Sequence, residues 1–91
     1  MAFPEDNSQP KLATGCRWGG TEEDRVVLFP EGAIKVTGTG RRILEACDGE
    51  RTFQDIVNEL QANYSASDPG KIRQDIANFL ASLQEKRIVN Y

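Results

Sequence analysis

Residues 26–36 read Val-Val-Leu-Phe-Pro-Glu-Gly-Ala-Ile-Lys-Val, and they predict a β-hairpin. Its first four residues form a short apolar run, whose β-branched and aromatic side chains favour a strand over a helix. A Pro-Glu-Gly turn follows at once, which is typical of a hairpin connection. A return strand is predicted over Ala33–Val36, with Ile34 and Val36 on one face and Lys35 on the other.

The residues upstream of the hairpin predict one more strand and a flexible leader. Residues 16–18, Cys-Arg-Trp, favour a short strand that Gly19–Gly20 is expected to end. Residues 1–10 are polar, contain two prolines and offer Phe3 as their one large apolar side chain after Met1. Such a segment buries too little apolar surface to offset the cost of ordering it. We therefore expect residues 1–10 to be disordered and the domain to span residues 11–91.

Downstream of the hairpin the apolar period becomes helical, and each predicted helix has a boundary signal. Asp48–Gly49 provides a stop for the first helix, because glycine tolerates the left-handed conformation found there. Thr52 opens the second helix, with Asp55 three residues later as in a capping box. Asp68–Pro69 opens the third, which is predicted to run to about Lys86. The predicted apolar stripes are Ile43, Leu44 and Cys47; Phe53, Ile56, Val57 and Leu60, extended by Tyr64; and Ile72, Ile76, Ala77, Phe79, Leu80 and Leu83.

This order of elements predicts an α+β fold. A three-stranded antiparallel N-terminal sheet would precede a three-helix bundle, in a winged-helix-like layout. Residues 88–89 are expected to close the chain as a short extended piece.

The composition argues against an enzyme. The chain has 11 Lys and Arg against 14 Asp and Glu, a net charge of −3, and no histidine. Histidine is the commonest general base and the usual partner of a nucleophilic serine or cysteine. Cys16 and Cys47 are too few and too far apart for a structural zinc site. We expect no catalytic residues, no metal and no cofactor, and two reduced, partly buried thiols.

The same sequence predicts a cytoplasmic protein that does not contact membranes. No apolar run approaches the ~18 residues of a membrane span. The first ten residues also lack the apolar segment of a signal peptide.

Three features suggest nucleotide or nucleic-acid binding, and each has a simpler explanation. Gly38–Thr39–Gly40 lies between strand and helix, but the rest of a phosphate-binding fingerprint is missing, so the glycines are expected to help the chain turn. Arg41–Arg42 opens a helix, where the dipole disfavours cations, so solvent or an acidic partner must stabilise the pair. Lys71 and Arg73 on the third helix are accompanied by Asp75, which favours a solvated face over a DNA-reading helix.

The third helix has an apolar arc wider than one packing contact requires. Either the helix is central to a small core, or one flank of the arc lines a groove against the sheet. The Ala33–Val36 strand is short and carries Lys35, which discourages random pairing at a sheet edge. An open edge beside an apolar groove is the arrangement needed for an extended peptide to add as a strand.

From about Lys11 to Val89 the sequence resembles pyrroloquinoline quinone (PQQ) synthesis protein D, PqqD, and the related precursor-peptide recognition elements of modified-peptide (RiPP) pathways. The resemblance rests on Val27-Leu28-Phe29-Pro30-Glu31-Gly32, then Ile34, Ile43-Leu44, Asp48-Gly49, Ile56-Val57, Leu60, Asp75-Ile76 and Phe79-Leu80. It implies a non-enzymatic peptide chaperone in PQQ biosynthesis. Such a protein binds a PqqA-like precursor peptide and delivers it to a PqqE-like radical S-adenosylmethionine enzyme.

The resemblance also implies where the peptide binds: beside the third strand, against the third helix. It would pair with the main chain of Ala33, Ile34, Lys35, Val36 and Thr37, and the groove wall would be Ile72, Arg73, Ile76 and Leu80. A monomer or weak homodimer is expected, without nucleic acid. A recognition element of another peptide pathway, a winged-helix DNA-binding regulator and a subunit module of a larger enzyme remain as alternatives.

Overall fold

The computed structural model describes residues 3–63 and 68–91. They form a small α+β domain of antiparallel strands and helices. The strands are β1 (Lys11–Leu12), β2 (Arg17–Gly20), β3 (Arg25–Phe29), β4 (Gly32–Lys35) and β5 (Val89–Asn90), and the helices are α1 (Gly38–Glu45), α2 (Phe53–Asn63) and α3 (Pro69–Glu85).

The N-terminal sheet has the order β2-β3-β4 and is antiparallel throughout. Its hairpin is confirmed, since Pro30–Glu31 connects β3 to β4 and Val27 lies opposite Ile34. The prediction that Gly19–Gly20 ends β2 is wrong, because both glycines pair with β3. Gly19 suits that position because a Cβ there would lie 3.0 Å from Leu28 Cδ1, on the outer face of the sheet.

A second pairing joins the two ends of the domain. β1 pairs antiparallel with β5, with Leu12 opposite Val89, and the Ala13 amide donates to the Ile88 carbonyl at 2.9 Å. The extended piece predicted at residues 88–89 therefore has a partner that the sequence analysis did not identify. A strand of two residues is too short to show an alternating apolar pattern.

Residues 3–10 lie against the start of α2. The Phe53 amide donates to the Ser8 carbonyl at 2.7 Å, and the Gln54 amide donates to the Asp6 carbonyl at 3.1 Å. Main-chain acceptors thus satisfy two amides that have no partner within the helix. Composition alone does not reveal such bonds, and the disorder expected for residues 1–10 stays a prediction.

The boundary signals at the starts of α2 and α3 are confirmed. Thr52 and Asp55 form the capping box, since each main-chain amide donates to the other residue's side chain at 3.0 and 3.1 Å. Asp68 accepts from the Gly70 amide at 2.8 Å at the start of α3. The predicted stop of the first helix at Asp48–Gly49 is wrong, because α1 ends at Glu45 with Ala46 as its cap; the left-handed Gly49, with a φ of 81°, lies in the loop that follows. Tyr64, predicted to extend the second stripe, lies outside the described residues.

The core lies between the inner face of the N-terminal sheet and the helices. Val27, Ile56, Leu80 and Ile88 are fully buried there. The α+β class and the antiparallel sheet are confirmed, whereas the winged-helix label stays a prediction. Within the described ranges, no helix has the length and apolar character that crossing a bilayer requires.

Candidate functional site

The outer edge of β4 offers main-chain hydrogen-bonding groups. β4 pairs with β3 on one side, and no other strand of the described chain pairs with its far side. The Val36 amide donates to the Arg25 carbonyl at 3.1 Å. Because bonded pairs alternate along an antiparallel ladder, Ile34 also faces β3, whereas the main-chain groups of Ala33 and Lys35 point to the open edge.

The side chains of β4 follow the same alternation. Ala33 and Lys35 are exposed, Ile34 is half-buried and Val36 is buried. The Lys35 ammonium lies 2.9 Å from an Asp24 carboxylate oxygen, and both side chains are largely exposed. The inner face of β4 thus belongs to the core, and its outer edge stays accessible.

An apolar cleft of about 510 Å³ begins where β4 ends. It lies between the start of α1 and one side of α3, with a residue of α2 at its base. The residues that line it are Thr37, Thr39, Gly40, Ile43, Leu60, Ile72, Asp75, Ile76 and Phe79.

The two glycines at the start of α1 have different roles. Gly38 has a φ of 57°, which is consistent with the predicted role of the glycines in turning the chain from sheet into helix. Gly40 is a contact residue, because a Cβ there would lie 3.2 Å from Cζ of Phe79. The small residue therefore lets the aromatic ring pack against α1 and form one wall of the cleft.

The structure brings part of the predicted site together. Thr37, Ile72 and Ile76 line the cleft. Ala33 and Lys35 lie on the open edge of β4 and do not line the cleft themselves. Three further predicted residues have other positions. Ile34 and Val36 bond toward β3, and Leu80 is fully buried in the core.

Arg73, the remaining predicted site residue, lies on the α2 side of α3. Its Nη1 donates to Gln54 Oε1 at 2.8 Å, and its Nη2 pairs with the Asp6 carboxylate. The guanidinium carbon lies 4.8 Å from the centroid of the Phe53 ring, within cation–π range. These contacts engage the guanidinium with residues outside the cleft lining.

Six residues of the cleft were not predicted from the sequence to belong to the site. They are Thr39, Gly40, Ile43, Leu60, Asp75 and Phe79. Phe79 is part of the apolar stripe predicted for the third helix. Its contact with Gly40 on α1 depends on how two helices that are distant in the sequence pack together, and the stripe does not predict that packing. Gly40 was the available signal in the sequence, but a glycine indicates close packing against an aromatic ring only when the structure shows the ring beside it.

Arg41 has an acidic partner, one of the two explanations offered for the basic pair. Its Nη1 donates to the Glu22 carbonyl at 2.7 Å, and its Nη2 lies 3.1 Å from the Glu22 carboxylate. Its Nε lies 3.6 Å from the Glu45 carboxylate, one turn later in α1. Arg41 thereby fixes the loop between β2 and β3 against the helix that forms the cleft.

The two thiols are free and are held in their neutral form. Burial, followed by the negative charge of Asp48, raises the pKa of Cys47 to about 12. Burial and then Glu31 raise the pKa of Cys16. A neutral thiol is a poor nucleophile. Across the described residues, no group of three or more Cys, Asp or Glu side chains is placed to hold a metal ion.

Two solved structures resemble this fold. The solution structure of the PqqD truncation of Methylobacterium extorquens PqqCD, described as a functional and stand-alone RiPP recognition element, superposes with a TM-score of 0.77. It is 30% identical, and the match covers 99% of this chain and 96% of that one. TbiB1 in complex with the TbiA(beta) leader peptide has a TM-score of 0.78 at 22% identity, covering 88% and 94% of the two chains, which supports the fold alone.

Sequence comparison gives the same family. Residues 24–89 match the family described as Coenzyme PQQ synthesis protein D (PqqD). The PqqA binding protein of Kluyvera intermedia is 35% identical over 85 residues, which cover 91% of this chain and 90% of that protein. The PqqA binding protein of Methylococcus capsulatus is 36% identical over 66 residues, or 72% and 68% of the two chains. The chain therefore belongs to the PqqD family.

Proposed function

We propose that this protein binds a PqqA-like precursor peptide as an added strand along β4. The observation that carries the proposal is the open edge of β4 leading directly into an apolar cleft beside α3. The relatives named as PqqA binding proteins support the choice of ligand. Main-chain bonds at such an edge contribute affinity, and pockets for alternate side chains contribute specificity.

Ala33 and Lys35 are the residues proposed to pair with the peptide main chain. A peptide strand that continues past Lys35 reaches Thr37, which already belongs to the cleft. Alternate side chains of the peptide would then enter between α1 and α3, against Ile72, Ile76 and Phe79. Val36 and Leu80 support this surface from the core rather than contacting the peptide.

We further propose that the protein presents the bound peptide to a PqqE-like radical S-adenosylmethionine enzyme in the cytoplasm. Its own role would be binding without catalysis and without a cofactor, as a monomer or weak homodimer. The neutral thiols and the names of its relatives as binding proteins support a binding role.

A recognition element for the leader peptide of another pathway is the second candidate. The cleft favours it equally, since a mostly apolar surface beside an open edge accepts any extended peptide with alternating apolar side chains. Binding of the PqqA-like precursor in preference to unrelated leaders separates the two.

A winged-helix DNA-binding regulator is less well supported. Of the two cations of α3, Lys71 and Arg73, the second is engaged by Asp6 and Gln54. The net charge of −3 also opposes a polyanion.

The proposal is tested by titrating isotope-labelled protein with a PqqA-like precursor peptide and recording amide shifts by NMR. Shifts are expected at Ala33–Thr37 and at Ile72–Phe79, and a scrambled peptide of the same composition serves as the control. A flat titration of folded protein, or shifts confined to other elements, would contradict the proposal.

A further inference from the structure

Asp75 places a carboxylate in the apolar cleft. The other lining residues are aliphatic, aromatic, glycine or threonine, so Asp75 contributes the charge of the surface. Its side chain is exposed, and among the described residues no hydrogen bond or ion pair involves its carboxylate. A negative charge thus lies in the cleft lining without a partner among residues 3–63 and 68–91.

The nearby cations have partners elsewhere or lie outside the cleft. Lys35 is paired with Asp24, and Arg41 with Glu22 and Glu45. Arg73 is paired with Asp6. Lys71, one turn before Asp75 on α3, is exposed and does not line the cleft. The charge of the cleft surface is therefore complementary to a cation supplied from outside.

We infer that Asp75 selects peptides that carry a lysine or arginine beside their apolar anchor, an inference that rests on the proposed function. The peptide's side chains point alternately to opposite faces of the added strand. The cation and the apolar side chain that enters the cleft must therefore be separated by an even number of positions, i and i+2 or i and i+4. A cation at i+1 points away from Asp75.

The interaction is expected to be moderate. Asp75 is exposed, and ion pairs at exposed sites are weakened by water and by salt. Replacing Asp75 by asparagine is therefore expected to weaken peptide binding about fivefold at low salt, and less at about 0.5 M salt. Asparagine keeps the size and polarity of the side chain, so the fold is not perturbed.

The test measures the affinity of the PqqA-like precursor, and of versions with each Lys or Arg changed to glutamine, by fluorescence anisotropy. The protein is compared with Asp75→Asn and with Glu85→Gln, which removes an exposed carboxylate from the same helix outside the cleft. We expect one peptide cation whose removal weakens binding to the unaltered protein and to Glu85→Gln, but not to Asp75→Asn. Moving that cation by one position should have the same effect as removing it.

Equal losses for the unaltered protein and for Asp75→Asn at every peptide cation would overturn the inference while leaving the proposed function in place. A tightly bound precursor without lysine or arginine would do the same. Absence of any precursor binding by the folded protein would overturn both.

Discussion

Gly40 shows how one residue shapes the cleft. Its hydrogen atom faces the Phe79 ring at a distance where a methyl group would need the ring to move by a few tenths of an ångström. Gly38, two residues earlier, has free space around it but a φ of 57°, which a residue with a Cβ adopts at a cost. Glycine is thus required at position 40 by the nearby Phe79 ring and at position 38 by the positive φ of the backbone.

The pair gives a matched prediction. Gly40→Ala is expected to push the Phe79 ring into the cleft and weaken peptide binding about threefold to tenfold, with little loss of stability because alanine favours the helix. Gly38→Ala is expected to lower the free energy of unfolding by about 1 kcal/mol through backbone strain, with binding nearly unchanged. Thermal unfolding and peptide titration of both variants test this, and the opposite pattern would show that the assignments are reversed.

Ile72 and Leu80 make a second comparison between the cleft and the core. Leu80 is fully buried, so Leu80→Ala is expected to cost about 2–5 kcal/mol of folding free energy. Ile72 is half-buried and lines the cleft, so Ile72→Ala is expected to weaken peptide binding about tenfold with a smaller loss of stability. Chemical denaturation and peptide titration provide the two readouts. Similar losses of stability for both variants would show that Ile72 is a core residue rather than a binding residue.

Among the secondary-structure elements, β4 is proposed to bind the peptide because its main-chain groups point alternately to β3 and to the open edge of the sheet. The register places Ile34 opposite Val27 in the sheet, so its amide is used within the protein. Lys35 lies opposite Val26 at a position whose amide points outward. This difference can be tested with proline, which removes the amide hydrogen.

Lys35→Pro is expected to leave the β3–β4 ladder in place and to weaken peptide binding at least tenfold. Ile34→Pro should break the ladder itself and destabilise the fold by about 3 kcal/mol. Circular dichroism establishes which variants are folded before their affinities are compared. Unchanged affinity in folded Lys35→Pro would exclude strand addition at this edge.

The sequence predicted the local features of these elements better than their contacts. The hairpin and the caps at Thr52 and Asp68 depend on neighbouring residues, and the structure confirms them. The pairing of β1 with β5 and the contact of Gly40 with Phe79 join residues far apart in the chain. Periodicity gives no information about such contacts. Similarly, Leu80 and Ile72 share one apolar arc, and only packing separates core from cleft.

In the whole molecule, the regions near the two ends of the chain form contacts that link distant parts of the domain. β1 pairs with β5, and residues 3–10 lie over the start of α2. Asp6 engages Arg73, a residue of α3 that does not line the cleft. The N-terminal segment is therefore expected to contribute to stability rather than to peptide binding.

Deletion of residues 1–8 tests this division. It removes the acceptors for the Phe53 and Gln54 amides and the partner of Arg73, so the free energy of unfolding is expected to fall by about 1–2 kcal/mol. Peptide affinity should stay within about twofold, because Arg73 does not line the cleft. Unchanged stability would support the disorder predicted from composition, and a large change in affinity would place Arg73 in the binding site.

A peptide that adds as a strand to the outer edge of β4 protects particular main-chain amides from solvent. Amide hydrogen exchange, followed by NMR with and without the precursor peptide, detects this protection. The Ile34 and Val36 amides face β3, so they should exchange slowly in both states. The Ala33 and Lys35 amides should exchange fast in the free protein and slowly in the complex. Fast exchange at both positions in a saturated complex would contradict the account.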